Sequence, residues 1–159
     1  MKKGCLSVLA LFIFSFSVKS QFQVNGSASV MSPGCYELTP DLGTQAGSIW
    51  NLDMLDLTES FDFIFEVFLG CKDNNGADGM YFALQPISTS VGNSGGGMGF
   101  EGVFPSIGVE LDTYQNSNPP QDPFSDHVSI MRNGNIIHTS SNNLAGPVNI
   151  SATSVNVED

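Results

Sequence analysis

Hydrophobic and polar residues alternate with a period of two along several short stretches of this chain, which is the pattern of β-strands that bury one face. The clearest stretch begins at residue 107. Its apolar side chains fall on one face: Ile107, Val109 and Leu111. Its polar side chains fall on the other: Glu110, Asp112 and Tyr114. The stretch therefore predicts a strand that carries two carboxylates on one face.

Further strands are predicted along the chain, and no stretch shows sustained helical periodicity. Alternation and short apolar runs between Gly- and Asn-rich loops indicate strands at residues 61–69, 80–84, 128–130, 136–137 and 148–157. The dipeptide Asn133-Gly134 favours a tight hairpin turn between two of them. Many short strands without helices predict an all-β fold, an antiparallel sandwich or jelly roll, with no linker inside residues 21–159.

The first twenty residues have the features of a secretory signal peptide. Lys2 and Lys3 form a charged start, residues 6–16 are apolar but too short to span a bilayer, and Ser20 is a small residue at the cleavage position. We expect cleavage before Gln21; a retained anchor is the alternative, although no stop-transfer pattern follows. The remaining chain is therefore expected to be secreted or displayed on the cell surface, without membrane insertion.

The net charge after residue 20 excludes two classes of binding partner. Two basic residues, Lys72 and Arg132, stand against sixteen acidic ones, which gives a net charge of −14 for residues 21–159. This balance argues against nucleic acid and anionic membranes, because both need a basic surface.

Cys35 and Cys71 are the only cysteines in this part. An even pair in an exported protein predicts a disulfide, and two buried free thiols are the alternative.

The segment from Glu110 to His127 contains a cluster of candidate metal ligands. Two carboxylates on one strand face lie roughly 6–7 Å apart, and burying both without a cation would be costly. Oxygen ligands from Asp, Asn and a backbone carbonyl suit calcium, whereas a set of Glu, Asp and His suits manganese or zinc. A Glu-x-Asp pair alone is usually a solvated strand face. The Asn, Asp and His that follow it here favour a two-metal site.

The order of these residues resembles the metal-binding signature of the L-type lectins, the legume-type lectins with a concanavalin-like fold. The resemblance is carried by V-E-L-D-T-Y-x-N at residues 109–116, by Asp122-Pro123, and by His127-Val128. It implies a Ca²⁺ ion held by four groups: the side chains of Asp112, Asn116 and Asp122 and the backbone carbonyl of Tyr114. It implies a transition metal, Mn²⁺ or another, held by Glu110, Asp112, Asp122 and His127. The two aspartates would bridge both ions.

Two further segments resemble the sugar site of the same family. Residues 76–82, G-A-D-G-M-Y-F, match an element in which an aspartate accepts hydrogen bonds from sugar hydroxyls and follows a cis peptide bond, here Ala77–Asp78. Residues 92–100 match a glycine-rich loop in which a backbone amide donates to the sugar. The resemblance implies that Asp78, Gly96 and Asn116 bind a monosaccharide, with Gly97 as the second choice of glycine. Calcium would hold Asp78 and Asn116 in place.

The resemblance covers nearly all of residues 35–159, and L-type lectin domains are longer than that. We therefore expect residues 21–159 to be the N-terminal part of an L-type lectin-like domain, a concanavalin-like antiparallel β-sandwich that is incomplete at its C-terminus. The similarity is greatest to domains of exported bacterial proteins, which implies glycans or glycoconjugates as partners. The resemblance leaves open whether the protein forms a homo-oligomer and whether the domain is part of a larger multidomain chain.

Two other functions compete with calcium-dependent carbohydrate binding. Some glycoside hydrolases of the jelly-roll class carry Glu-x-Asp-x-x-Glu on a strand, because retaining hydrolysis needs two carboxylates. Gln115 stands at the third position here, so the second acid is absent and we expect no enzymatic activity. A structural or adhesion module of the same fold without sugar binding is the other alternative. The presence of Asp78 and Asn116 argues against it.

Overall fold

The structure, a computed structural model, describes residues 21–72, 76–90, 92, 94–117 and 122–157, so the expected signal peptide lies outside the described residues. The described part contains eight strands: β1 (Phe22–Gly26), β2 (Ser29–Ser32), β3 (Cys35–Glu37), β4 (Gly47–Asn51), β5 (Gly79–Leu84), β6 (Ile107–Asp112), β7 (His127–Arg132) and β8 (Asn143–Asn149). One turn of 3₁₀ helix, Gly95–Gly97, is the single helical element found there. No helix in this part is long and apolar enough to cross a membrane. The all-β prediction is confirmed.

The strands form three antiparallel sheets within the described residues. β1 pairs with β4, β2 pairs with β3, and the remaining strands form a four-stranded sheet in the order β5-β6-β7-β8. In that sheet, Glu110 of β6 lies between Tyr81 of β5 and Ser129 of β7. Asp112 lies between Gly79 of β5 and His127 of β7. These two rows place acidic, aromatic and imidazole side chains from three strands next to one another.

The four-stranded sheet buries its polar face and leaves its apolar face partly exposed, the reverse of the usual arrangement. Glu110 and Asp112 are 0% and 1% exposed, whereas Ile107 on the opposite face of β6 is 40% exposed. The buried hydrophobic side chains of the described residues are few: Phe100, Val103 and Met131. A buried polar cluster therefore occupies much of the interior on this side of the sheet.

Two loops cover the polar face of the sheet. The first is the glycine-rich segment (residues 94–102), whose Phe100 ring stacks on Tyr81 with the ring centroids 4.3 Å apart. The second is the connection between β7 and β8. A hydrogen bond from the Gly102 N–H to the Gly134 carbonyl at 2.9 Å joins the two loops. The Gly134 N–H also donates at 3.0 Å to the Oγ of Ser106, which directly precedes β6. The tie keeps the β7–β8 connection close to β6.

The strand predicted at residues 61–69 is not formed, and that prediction is wrong. The alternation does orient the side chains: the rings of Phe63 and Phe65 lie 5.5 Å and 5.4 Å from the Phe82 ring, whereas Ile64 is 96% exposed. A strand also needs a neighbour that completes its backbone hydrogen bonds. None of the described strands pairs with this segment.

The strands predicted at residues 80–84, 107–112 and 128–130 are confirmed as β5, β6 and β7. A turn does form at Asn133-Gly134, where both residues have φ near +60° and the Asn135 N–H donates to the Arg132 carbonyl at 3.3 Å. The predicted tight hairpin does not, because the next strand begins only at Asn143. The strand predicted at 136–137 is absent. The one predicted at 148–157 instead starts at Asn143 and ends at Asn149. Periodicity alone did not show that the connection after the turn packs on the sheet.

The expected disulfide between Cys35 and Cys71 is not present: both are free thiols, and both are exposed rather than buried. A disulfide requires Cα atoms within about 7 Å of each other. Cys35 starts β3, which pairs only with β2 among the described strands, and Cys71 follows the unpaired 61–69 segment. No strand pairing within the described residues therefore brings the two segments together.

Gly108 in β6 lies under the stacked rings of Tyr81 and Phe100, so a larger residue at this position tests how tightly the rings pack on the sheet. A Cβ atom at residue 108 would lie 2.7 Å from Phe100 Cε2 and 2.9 Å from Tyr81 Cδ1. We expect Gly108→Val to lower the free energy of unfolding by about 1–3 kcal/mol, because the rings must shift. Urea unfolding measures it. Gly43→Ala is the control, since nothing lies within 4 Å of its added Cβ. Equal stability of the two variants would contradict this packing.

Candidate functional site

Glu110 is fully buried in β6 and receives hydrogen bonds from two other elements. The Tyr81 hydroxyl of β5 donates to Oε1 at 2.6 Å, and His138 Nε2 of the β7–β8 connection lies 2.8 Å from Oε2. His127 Nε2 lies 3.9 Å from the same Oε2. Burial raises the pKa of Glu110, but the hydrogen bonds from His138 and Tyr81 outweigh it, so the pKa falls below its ordinary value. The carboxylate is therefore held in its ionised form.

Asp112 and Asp122 are buried in the same cluster, and each has one oxygen without a hydrogen bond. Asp112 Oδ1 accepts from the Tyr114 N–H at 2.8 Å, and Asp122 Oδ2 accepts from the Asn116 N–H at 2.8 Å. Asp112 Oδ2 and Asp122 Oδ1 form no hydrogen bond within the described residues. Burial raises the pKa of both carboxyls, that of Asp112 to about 8. A cation between them would favour the ionised forms.

The hydrogen bond of His127 determines which of its ring nitrogens is free. Nδ1 lies 3.1 Å from the carbonyl oxygen of Ser125, which can only accept, so Nδ1 carries the proton and Nε2 presents a lone pair. Nε2 makes no hydrogen bond within the described residues. A ring whose Nδ1–H is held by a carbonyl and whose Nε2 points at a carboxylate has the arrangement of a metal-ligating histidine.

His138 belongs to this cluster, and sequence reasoning did not assign it to the site. Its side chain is 5% exposed, and Nδ1 lies 3.5 Å from Asp122 Oδ1 without forming a hydrogen bond. Its ring meets the His127 ring edge to face, with the centroids 4.9 Å apart. The hydrogen bond to Glu110 raises the pKa of His138. The one signal in the sequence was that the chain has only two histidines.

Two overlapping sets of side chains have the geometry to hold metal ions. One is Glu110, His127 and His138, and the other is Asp112, Asp122 and His127. In each set the ligand atoms lie within 4.8 Å of one another. The unpaired Oδ atoms, the free His127 nitrogen and the raised carboxyl pKa values all fit a cation in this position. The structure thus brings together the four side chains predicted for the transition metal, and it adds His138.

The three residues predicted to bind sugar lie together beside the metal-ligand cluster. The Asn116 side chain packs on Gly96, where an added Cβ would lie 3.5 Å from Asn116 Oδ1. Burial raises the pKa of Asp78, and a hydrogen bond from the Asn116 side chain opposes that shift. The Asp78 carbonyl accepts from the Thr113 N–H at 3.1 Å, which ties it to the end of β6. The Ala77–Asp78 peptide is cis, as expected.

Gly96 and Gly97 differ in their access to solvent. Gly97 is buried in the 3₁₀ turn, and its carbonyl accepts from the N–H groups of Phe100 and Glu101 at 2.8 Å and 3.1 Å. Gly96 is partly exposed and faces Asn116. Of the two glycines, Gly96 is the one with access to solvent.

Comparison with known proteins identifies similar domains in bacteria. The family model for the legume lectin beta-barrel domain matches residues 15–158. The pesticidal crystal protein Cry22Aa of Bacillus thuringiensis is 41% identical over 111 residues, which are 69% of this chain and 15% of that protein. The serine-rich adhesin for platelets of Staphylococcus aureus strain MRSA252 is 34% identical over 109 residues, which are 65% of this chain and 8% of the adhesin. The chain thus spans a small part of these relatives.

The family match identifies the fold of the domain and the general class of its function. It covers well over half of the chain and includes every residue of the metal-ligand cluster. The expected resemblance to the L-type lectins is confirmed, and with it the concanavalin-like β-sandwich. Family and relatives point to a lectin or adhesion-type module, not to an enzyme, and the chain belongs to the legume lectin β-barrel domain family.

Proposed function

We propose that this domain binds carbohydrate in a calcium-dependent manner, with Asp78, Gly96 and Asn116 contacting the sugar. The position of Asn116 is the observation that carries the proposal. Its side chain packs on Gly96 and lies close enough to the Asp78 carboxyl to oppose the rise in pKa that burial causes there, while its backbone N–H donates to the buried Asp122 carboxylate. A cation held by Asp122 would therefore fix the residue that joins the other two.

Three of the calcium ligands in this proposal are side-chain oxygen atoms that have no hydrogen-bond partner within the described residues. Asp112 Oδ2, Asn116 Oδ1 and Asp122 Oδ1 are buried and form no hydrogen bond within the described residues. Hard oxygen donors of this kind suit Ca²⁺, and the backbone carbonyl of Tyr114 is proposed as the fourth ligand. The bound ion would neutralise the carboxylates and hold the loop after β6 against the sheet.

A second, transition-metal ion is proposed next to the calcium. Glu110, Asp112, Asp122 and His127 would hold it, and His127 would contribute its free Nε2. Mn²⁺ and other ions of this class accept such a mixed set of oxygen and nitrogen donors. The ion would compensate the charge of the fully buried Glu110.

Burial of Glu110 argues against the glycoside hydrolase alternative. A catalytic carboxylate must reach the glycosidic bond. Glu110 is 0% exposed and both of its oxygens are engaged, by Tyr81 and by His138. The residue at the position of the second acid, Gln115, donates its side-chain amide to the Asp122 carbonyl at 3.3 Å. This arrangement favours a binding domain.

Calcium is expected to stabilise the fold through the buried carboxylates. An ion present at about 100 times its dissociation constant adds about 2.7 kcal/mol to the free energy of unfolding. Asp112→Asn should abolish this gain, because it removes a charge and keeps the oxygen that accepts from the Tyr114 N–H. Thermal unfolding of chelator-treated protein with and without Ca²⁺ measures the gain. Asp53→Asn, at an exposed position outside the cluster, is the control and should respond like the wild type. An unchanged response of Asp112→Asn would refute the site.

A glycan array tests sugar binding directly. We expect binding with Ca²⁺ and none with chelator. Asp78→Ala and Asn116→Ala should weaken binding about 10- to 100-fold, which corresponds to losing one hydrogen bond to a charged or buried group. Asp53→Ala is the matched surface control. A blank array from folded, calcium-loaded protein would overturn the proposal and favour a structural or adhesion module without sugar binding.

We also propose that the chain is exported through its N-terminal signal and acts outside the cell or on its surface. Lys2 and Lys3 precede the apolar residues 6–16, Ser20 is a small residue at the proposed cleavage position, and the first strand of the described residues begins shortly after it at Phe22. Expression of the full chain in a bacterial host should yield exported protein whose first residue is Gln21. N-terminal sequencing by mass spectrometry measures it. Recovery of intact Met1 in the membrane fraction would show a retained anchor instead.

A further inference from the structure

We propose that His138 is a direct ligand of the transition metal, so that this chain holds the ion with two imidazoles and prefers Zn²⁺ to Mn²⁺. The inference rests on the metal site proposed above and concerns the identity of that ion. The observation behind it is the convergence of three buried donor groups on one point beside β6: Glu110, His127 and His138.

The distances between the donor atoms suit a single ion. His138 Nε2 lies 2.8 Å and His127 Nε2 lies 3.9 Å from Glu110 Oε2. Ligands at about 2.0–2.2 Å from zinc lie about 2.8–3.6 Å apart at octahedral or tetrahedral angles. The Glu110–His138 distance lies in this range, the Glu110–His127 distance lies a few tenths of an ångström outside it, and all three ligand atoms lie within 4.8 Å of one another.

The free nitrogen of His127 points to a ligand between the two rings. Its side chain is 2% exposed, its Nδ1 is held by the Ser125 carbonyl, and its Nε2 has no hydrogen bond within the described residues. A lone pair aimed at the Glu110 carboxylate is repelled by it. A metal ion between the two removes the repulsion. His138 Nε2 faces the same oxygen; to bind the ion it must release the proton that it donates to Glu110, and the one remaining ring proton would then be on Nδ1, which faces Asp122 Oδ1 at 3.5 Å.

His138 is held in place by the connection that carries it. The Asn143 side-chain amide donates to the His138 carbonyl at 2.8 Å and to the Gly146 carbonyl at 3.0 Å. The tie between Gly102 and Gly134 anchors the start of the same connection. The fold therefore already holds the His138 side chain against Glu110, and the β7–β8 connection does not have to move when an ion binds.

The donor set determines the preferred metal. Imidazole nitrogen favours zinc and copper, whereas carboxylate, carbonyl and water oxygens favour manganese. A second imidazole therefore moves the site away from Mn²⁺ and towards Zn²⁺. The rival role for His138 is to orient Glu110 by a hydrogen bond from outside the coordination sphere, and the two roles predict different numbers of nitrogen ligands.

Pulsed electron paramagnetic resonance of the full chain loaded with Cu²⁺ counts the coordinated imidazoles. We expect the combination lines of two imidazoles in the wild type and one imidazole in His138→Gln, whose side-chain amide still donates to Glu110. Tyr81→Phe is the matched control, because it removes a Glu110 hydrogen bond but no nitrogen, and it should retain two. A wild-type spectrum that shows only one coordinated imidazole would by itself overturn the inference, whatever the variants show.

Metal affinities provide an independent readout. Sites of nitrogen and oxygen donors generally bind Zn²⁺ more tightly than Mn²⁺, so the informative quantity is the change caused by the variant. His138→Gln should lose more than about 100-fold in Zn²⁺ affinity, which exceeds the usual effect of an outer-shell substitution. Its Mn²⁺ affinity should change much less. A loss of about tenfold for both ions would show an orienting role and overturn the inference.

The outcomes separate this inference from the proposed function. Two imidazoles together with a blank glycan array would support the role of His138 and overturn sugar binding. Calcium-dependent sugar binding with one imidazole would overturn only the role of His138. Failure of the wild type to bind any of Ca²⁺, Zn²⁺, Mn²⁺ or Cu²⁺ would overturn the metal site and the inference with it.

Discussion

Like-charged carboxylates are buried side by side on the inner face of the four-stranded sheet, and their charge must be compensated. Glu110, Asp112 and Asp122 lie in a space that also contains the two histidines of the chain. Hydrogen bonds from Tyr81 and His138 compensate Glu110 in part, and its pKa is lowered. For the two aspartates the effect of burial exceeds that of their hydrogen bonds, so their pKa values are raised. The cluster is thus complementary to divalent cations and poorly matched to protein groups alone.

The same cluster links the proposed sugar-binding residues to the sheet. One oxygen of Asp122 accepts from the Asn116 N–H, and Thr113 at the end of β6 holds the Asp78 carbonyl. Asn116 in turn packs on Gly96 of the glycine-rich segment. A cation bound to the oxygens that lack hydrogen bonds would therefore act on all three proposed sugar-binding residues without touching the sugar, which would be the physical basis of the proposed calcium dependence.

Much of the sheet followed from local pattern, and the errors have a common cause. β5, β6, β7 and the Asn133-Gly134 turn were predicted because alternation and turn chemistry are properties of neighbouring residues. The segment 61–69 alternates equally well but has no partner strand among the described residues. Cys35 and Cys71 are chemically able to pair, yet no strand pairing in the described part of the chain joins their segments. Pairing depends on residues distant in the chain, which periodicity does not report.

The sequence by itself determined the family, the all-β class and the order of the acidic and histidine residues between Glu110 and His127, because these rest on residue types at short spacing. Tertiary structure decided which face of β6 is buried and placed His138 in the cluster. That placement depends on backbone ties between the glycine-rich segment and the β7–β8 connection, such as Gly102 to Gly134. Contacts of this kind join residues about thirty positions apart, and no local pattern encodes them.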